Sequence, residues 1–305
     1  MSSESTVELS VVIVTYCNEK QITACLLALA GEIAEYQHEI FLVDNHSQDH
    51  TRKIIQEIWL QIQNPNFSGS IQLNEKNLGF TRALNQGLKK CSGRFILVLN
   101  PDTEVQPSCL HTLKSALERE PNVGVVAPQL VNPDGTVQPS CRRFPGYRDV
   151  LFEIAGLSYL FQQNDVFNRW KMADFDHRQT KSVDQPQGAC LMFRREVLES
   201  TGLWDEQFPI FFSDVDWCLR VKSQGIDILF EPAAKVIHHQ GVSVQQHRLK
   251  MIWSSHRSFY DYFKKHKKGK MAGVWKALFG GLFFLTAIFR MAAVWLNGLF
   301  ISNKA

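Results

Sequence analysis

Asp102 stands where the apolar run Phe95 to Leu99 breaks off into Asn100-Pro101-Asp102, so a carboxylate sits where a buried strand leaves its sheet. In an open α/β sheet, ligands bind outside the carboxyl ends of the strands, and a hard oxygen ligand there suits a divalent cation that also holds phosphate oxygens. A plain Asn-Pro-Asp turn before a helix started by Pro107 is the competing reading. His238, in Val236-Ile-His-His-Gln-Gly241, offers a neutral imidazole to the same ion. His239 should face the other way on a strand. A strand-end histidine held by hydrogen bonds would look the same.

Two further groups of residues can bind or react. Thr15-Tyr16-Cys17-Asn18 and Val43-Asp44-Asn45 end two strands, and Asp44 can accept hydrogen bonds from a ribose or base or can simply cap a turn. No G-x-G-x-x-G follows the first strand, which argues against a dehydrogenase. Asn77-Leu-Gly79 precedes a helix whose N-terminus can attract an anionic or polar ligand, or can be only a loop and helix start. Asp214 and Asp216, in Phe211-Phe-Ser-Asp-Val-Asp-Trp217, open another helix behind Gly188-Ala189-Cys190. Either can cap it; a carboxylate at a partly apolar cleft is also what a general base requires, because burial lifts its pKa.

The elements that carry these residues alternate. Leu9–Thr15, Ile40–Val43, Ile71–Leu73 and Phe95–Leu99 read as strands, separated by a helix over about 19–34 capped by Asn18, a helix capped by Ser47 or Asp49 and running to about Gln61, and a helix over 81–90. Such alternation implies a parallel sheet with right-handed crossovers. After a helix from Pro107 to about Arg119 the pattern turns to short strands, with a hairpin at Asn132-Pro-Asp-Gly135. A strand at 188–193, helical segments at 195–201 and 215–224, and strands at 226–230 and 235–238 follow; Tyr147 to Thr180 has no clear period.

Composition narrows the class. With 305 residues, 45% hydrophobic and 21% charged, the chain can build one large domain or a domain with an appendage, and a net charge of +3 gives no reason to expect nucleic acid. Seven scattered cysteines without a C-x-x-C spacing argue against a disulfide framework and a structural zinc, and a reducing cytosol fits. The polar start shows no signal-peptide pattern.

In their order, Val-Thr-Tyr-x-Asn, Val-Asp-Asn, Asn-x-Gly-Phe, Leu-Asn-Pro-Asp, Gly-Ala-Cys, Asp-Val-Asp and His-His-x-Gly-x-Ser resemble the inverting nucleotide-sugar glycosyltransferases of family 2 with the GT-A fold, most of all the rhamnosyltransferase-like members that build O-antigen and other surface polysaccharides. The resemblance runs from about Leu9 to Ser243. It implies a Rossmann-like, mostly parallel sheet flanked by helices, divided into a catalytic domain over 1–245 (nucleotide half 1–105, acceptor half 106–245) and a helical extension over 246–305. It further implies a Mg²⁺ or Mn²⁺ on Asp102 and His238, and Asp214 as the base. Donor contacts fall to Thr15, Tyr16, Asn18, Asp44, Asn77, Gly79, Asn100, Gly188 and Ala189. Arg142 and Arg143 match an Arg-rich segment that can grip an acceptor diphosphate, or are solvated surface arginines. The partners implied are a dTDP- or UDP-sugar, rhamnose among the sugars considered, and a saccharide or lipid-linked acceptor. A non-catalytic nucleotide-sugar-binding scaffold is the alternative. The chain departs from the family at Ser213, where Glu is common, and at Asp184-Gln-Pro-Gln187. A processive membrane synthase would need spanning helices and a Gln-x-x-Arg-Trp segment, neither of which the sequence contains.

The extension is basic, then apolar. Lys264, Lys265, Lys267, Lys268 and Lys270 precede a charge-free run, Ala277–Phe289, that is shorter than the roughly 20 residues a spanning helix needs. Lys276, Arg290 and Asn297 share a stripe that Phe283 interrupts. This suggests an amphipathic helix in the membrane interface, with Trp275 and Trp295 at headgroup depth and the lysines on anionic lipid. A helix packed on the catalytic domain or on a second copy, and a tilted span, remain open to the same residues. The expected location is the cytoplasm, peripheral to the inner face of the membrane.

Overall fold

The computed structural model describes residues 7–239, 248–266 and 272–302. β1 (Leu9–Thr15), β2 (His38–Asp44) and β4 (Phe95–Leu99) are buried throughout, and β3 (Phe67–Leu73) forms the edge. Apolar residues on both faces of these strands require cover on both sides. Leu9, Val11 and Ile13 pack under α1 (Ile22–Ile33), α2 (Thr51–Gln61) and α4 (Cys109–Arg119), whereas Val12 and Val14 face α3 (Phe80–Leu88). The α3 side approaches closely: a Cβ on Gly87 would lie 2.4 Å from Val12 Cγ1.

The second half threads into the same sheet. β5 (Thr103–Val105), β6 (Val123–Val131), β10 (Cys190–Arg194), β11 (Asp227–His238) and the two-residue β8 (Lys181–Ser182) complete a nine-stranded sheet among the described residues, ordered β3-β2-β1-β4-β10-β6-β11-β5 with β8 beside β11. β10 runs antiparallel between β4 and β6, and β6 pairs parallel with β11. The sheet is therefore mostly parallel with reversed strands at β5, β8 and β10. β7 (Cys141–Arg142) pairs with β9 (Gln185–Pro186) apart from it. The remaining helices are α5 (Tyr147–Ile154), α6 (Leu157–Leu160), α7 (Arg195–Thr201), α8 (Ser213–Ser223), α9 (Arg248–His266) and α10 (Ala272–Ser302).

Several local expectations shift. Pro107 does not follow directly on a turn, because β5 intervenes and pairs with Val236–His238. The two late strands are one strand, β11, with a bulge between Glu231 and Lys235. The Asn132–Gly135 turn closes with a single bridge, Val131 to Val137, rather than a full hairpin. Asn18 does not cap α1 with its side chain, which folds back onto Thr15 and Tyr16; its carbonyl accepts the amides of Gln21 and Ile22.

The extension packs on the body. Tyr262, Phe263, Phe279 and Phe283 are buried with Val150, Phe208, Phe212 and Val215 in an aromatic cluster. Phe283 thus lies inward, not on a solvated stripe, because its ring finds Phe259 and Phe263 of α9. Lys265, read from the sequence as part of a lipid-facing patch, turns inward to Asp205 and Asp216. Leu278, Leu285 and Phe289, on the outer face of α10, are 59%, 65% and 76% exposed. Lys267, Lys268, Lys270, Gly241, Ser243 and the side chains of Trp275, Lys276, Arg290, Trp295 and Asn297 lie outside the described residues. Among the described residues no helix is long and apolar enough to cross a membrane.

Candidate active site

β1 has β2 on one side and β4 on the other, so the strand order reverses at β1, and ligands of open α/β sheets sit outside the carboxyl ends at such a point. The loops leaving β1, β2 and β4 carry Thr15–Asn18, Asp44–His46 and Asn100–Asp102.

At β1 and β2 the chain prepares a polar wall. Thr15 and Asp44 are register partners and both are fully buried. Asn18 Oδ1 accepts the Tyr16 amide at 2.9 Å and the Thr15 hydroxyl at 3.1 Å. Asp44 Oδ1 accepts from Arg52 Nε at 2.5 Å and from the Ser47 amide at 3.2 Å. Asn18 Nδ2, Asp44 Oδ2 and His46 Nδ1 are buried yet have no hydrogen-bond partner among the described residues. Each such atom costs about 1–3 kcal/mol if left unmet, so three of them at two neighbouring strand ends mark a place for a polar ligand.

The Asn77–Gly79 segment is used differently from its sequence reading. Asn77 Oδ1 accepts from Asn45 Nδ2 at 3.1 Å and from the Gly79 amide at 2.9 Å, and the Thr81 amide donates to Pro209 O at 3.2 Å. These amides at the start of α3 are thus met inside the protein. Gly79, at φ +85°, is needed because a Cβ would sit 3.2 Å from Pro209.

Asp102 and His238 meet because β5 pairs antiparallel with β11, matching Thr103 with His238. Asp102 Oδ1 lies 3.7 Å from His238 Nε2, and both residues are buried. Gln138 donates from Nε2 to His238 O and Asn132 Oδ1, which leaves its Oε1 to accept the proton of His238 Nδ1 at 3.0 Å. His238 Nε2 therefore presents a lone pair to a carboxylate. Burial pushes Asp102 up to about 6, and burial together with neighbouring His239 pushes His238 down to about 4. Two acceptors facing each other fit a cation, with the remaining ligands left to a phosphate-bearing substrate. Among the described residues no cluster of three or more His, Cys, Asp or Glu side chains is arranged to hold a metal alone. His239 turns away to Glu104, Nε2 to Oε1 2.6 Å, as the strand alternation required.

The backbone ties this corner to Asp214. The Asn100 amide donates to Ala189 O at 2.8 Å, and the next amide back, Gly188 N, donates to Asp214 Oδ2 at 3.1 Å. Gln185 Nε2 reaches the same oxygen at 3.3 Å, and Oδ1 accepts the Val215 amide at 2.9 Å. Asp214 is only part-buried as a residue, but its carboxyl group is enclosed and desolvation raises its pKa. Gly188 permits the approach: a Cβ there would lie 3.1 Å from Asp214 Cβ and 3.3 Å from Trp204. Ser213 directs its hydroxyl to Ile210 O. Asp216 faces away, toward Lys265 and His266.

The two arginines differ. Arg143 is held by Asp174 in a bidentate pair, 2.8 and 2.5 Å, and by Arg169 O. Arg142 donates only to the carbonyls of Pro139 and Cys141, with no carboxylate partner among the described residues, and burial lowers its pKa. Gln138, His46 and Arg52 carry no sequence signal that singles them out, and Gln185 shows in the sequence only as part of the departing segment Asp184–Gln187. Gln138, Gln185 and Arg52 matter through partners distant in the chain or across a loop, and His46 through a buried nitrogen that has none among the described residues.

A family model described as glycosyl transferase family 2 matches residues 10–202. The chain is 29% identical over 217 residues to the O-antigen biosynthesis protein RfbC of Myxococcus xanthus, covering 68% of this chain but only 15% of that protein. It is 25% identical over 276 residues to the N-acetylglucosaminyl-diphospho-decaprenol L-rhamnosyltransferase of Mycobacterium tuberculosis, covering 86% of this chain and 85% of that protein. In fold it is similar to the mannosyltransferase PcManGT from Pyrobaculum calidifontis, solved with GDP-Man and Mn²⁺, at a TM-score of 0.57 and 16% identity, covering 98% of this chain and 81% of that one. With its family model spanning well over half of the residues, the chain belongs to glycosyl transferase family 2, a family of glycosyltransferases.

Proposed function

We propose that the protein transfers a sugar from a nucleoside-diphosphate sugar, a dTDP- or UDP-sugar with rhamnose among the candidates, to a saccharide or lipid-linked saccharide, with inversion at the anomeric carbon. The observation that carries this reading is the facing pair Asp102 and His238, a buried carboxylate and a buried imidazole 3.7 Å apart, beside the point where the strand order reverses. Thr15, Tyr16, Asn18 and Asp44 line the nucleotide side, with the unmet Asn18 Nδ2 and Asp44 Oδ2 as its polar contacts. Asn100, Gly188 and Ala189 form the floor between the diphosphate and the base, and Asn77 and Gly79 shape the nucleotide wall from behind.

Asp102 and His238 would hold a Mg²⁺ or Mn²⁺, which when bound supplies charge to neutralise the leaving nucleoside diphosphate. Asp214, its affinity for a proton raised by burial, takes the proton of the acceptor hydroxyl as that oxygen attacks. Gly188 N–H and Gln185 hold its Oδ2 in place. Of the two arginines, Arg142 is the one left to meet an acceptor diphosphate, since Arg143 is committed to Asp174. The similarity to a rhamnosyltransferase acting on a diphospho-decaprenol-linked sugar supports this acceptor class. The outer face of α10, with Leu278, Leu285 and Phe289, would rest on the cytoplasmic membrane surface from which such an acceptor is presented.

The experiment is a panel of dTDP-, UDP- and GDP-sugars with Mg²⁺ or Mn²⁺, read by nucleotide release and by the anomeric configuration of the product. Metal-dependent release from one donor, raised by a saccharide or lipid-linked acceptor, is expected. Tight nucleotide binding without release from any donor would replace this reading with the scaffold one.

A further inference from the structure

The first turn of α8 is gripped from behind. Phe212, at the N-cap of α8 with φ 68°, stacks edge-on against Phe259 of α9 at 4.3 Å between ring centroids and lies 5.4 Å from Tyr262. Its carbonyl accepts the Asp216 amide at 2.9 Å, the first helical hydrogen bond of α8. A phenylalanine in this left-handed conformation is strained and persists only when its surroundings fix it.

Asp216 is fully buried, and its carboxylate is met by two cations and an imidazole: Arg220 Nε at 2.9 Å, Lys265 Nζ at 2.5 Å and His266 Nε2 at 2.6 Å. Lys265 also bonds Asp205 at 2.6 Å, and Arg220 donates to Thr201 O and Leu203 O. Burial alone would push this carboxyl up, yet His266, Lys265 and Arg220 outweigh it and hold it at about 2. Residues 212 and 216 thus dock on α9, one through a ring and the other through charge. Asp214, two positions from each and about 200° around the helix, faces the opposite way, to Gly188 and Gln185.

We propose that α9 is the positioning element for Asp214: Phe259 and the Lys265–His266 pair lock Phe212 and Asp216, and so fix where the catalytic carboxylate stands. Asp216, Lys265 and His266 are positioning residues that touch no substrate, and the C-terminal extension completes the active site in addition to any anchoring it does. The inference rests on Asp214 being the base. The family match ends at residue 202, before α8 and α9.

The test uses the full chain with Lys265→Met/His266→Gln, Lys265→Arg and Phe259→Leu, the last loosening Phe212 without leaving a buried charge. In the double variant kcat should fall roughly ten- to hundred-fold, the cost of a small misplacement of a reacting group, with the donor KM changed less than about twofold. The limb of the pH–kcat profile that reports Asp214 should move to lower pH as water reaches its carboxylate. Lys265→Arg should restore most of the rate, and Phe259→Leu should shift the profile the same way by less. An unchanged kcat and profile in both the double variant and Phe259→Leu would overturn the proposal. So would a loss of kcat that only tracks the folded fraction measured by circular dichroism. Asp214→Asn separates the two readings: if that variant keeps full turnover, the base assignment has failed, whereas if it is inactive and the α9 variants are normal, only the positioning role has.

Discussion

His238 Nε2 and Asp102 Oδ1 face each other at 3.7 Å as two acceptors, the imidazole proton being held on the far side by Gln138. The contact is made by pairing β5 with β11, and it leaves a two-donor half-site. An ion there should bind weakly alone and well with a nucleoside diphosphate. Asp102→Ala should abolish metal-dependent nucleotide binding in calorimetry while metal-free binding changes little. Because Asp102 releases its proton at about 6, metal-dependent affinity should rise with pH through that value and level off above it. Equal affinity for wild type and Asp102→Ala in the presence of Mn²⁺ would remove the metal role.

Asp214→Asn keeps an oxygen able to accept the Gly188 amide, so the fold should survive. Turnover should drop by about 10² to 10⁴, the range for loss of a general base, with donor KM nearly unchanged. Single-turnover kinetics on a protein of normal melting temperature checks this.

Gly188→Ala adds a methyl within 3.1 Å of Asp214 Cβ and 3.3 Å of Trp204, both on packed elements. The base must move or the strand end must shift. Destabilisation of about 1–3 kcal/mol, as for overpacking elsewhere, and a lower kcat are expected. Urea unfolding and initial rates measure the two separately.

Asp216 is held at about 2, below the ordinary carboxylate value, so its contribution to stability is complete above about pH 4 and is lost as pH falls toward 2. The linked stabilisation is on the order of 2 kcal/mol. Unfolding midpoints measured from pH 6 to pH 2.5 should fall more steeply for wild type than for Asp216→Asn, and parallel curves would refute this account of the cluster.

Leu285→Asp and Phe289→Asp replace side chains that are 65% and 76% exposed, so folding should be barely affected. If the outer face of α10 meets lipid, flotation with anionic liposomes should fall several-fold in the double variant. Undiminished flotation would leave that face without a membrane role.

The sequence, read locally, already shows the alternating first half of the sheet, the strand ends bearing Thr15, Asp44 and Asp102, and the helix start bearing Asp214. These follow from local chemistry: apolar runs covered on both faces, turn residues that end them, and helix periodicity. It also carried the family, through the order of its short motifs. How those residues meet follows from strand pairings and packing between distant segments. β5 is a three-residue strand with no period to read, and it exists only because β11 pairs with it some 130 residues later. The reversed β10 is equally invisible to local pattern, since its apolar run would suit either direction. Lys265 reads as a surface charge in a basic cluster, and becomes an internal strut because Asp216, 49 residues away, is buried and needs a counter-charge. Phe283 lies inward for the same kind of reason, its ring completing a cluster assembled from four helices. Asp102 in Asn100-Pro-Asp102 was legible as a candidate carboxylate, but its neighbour His238 and the base beyond Gly188 are set by pairings between distant segments, which no local propensity encodes.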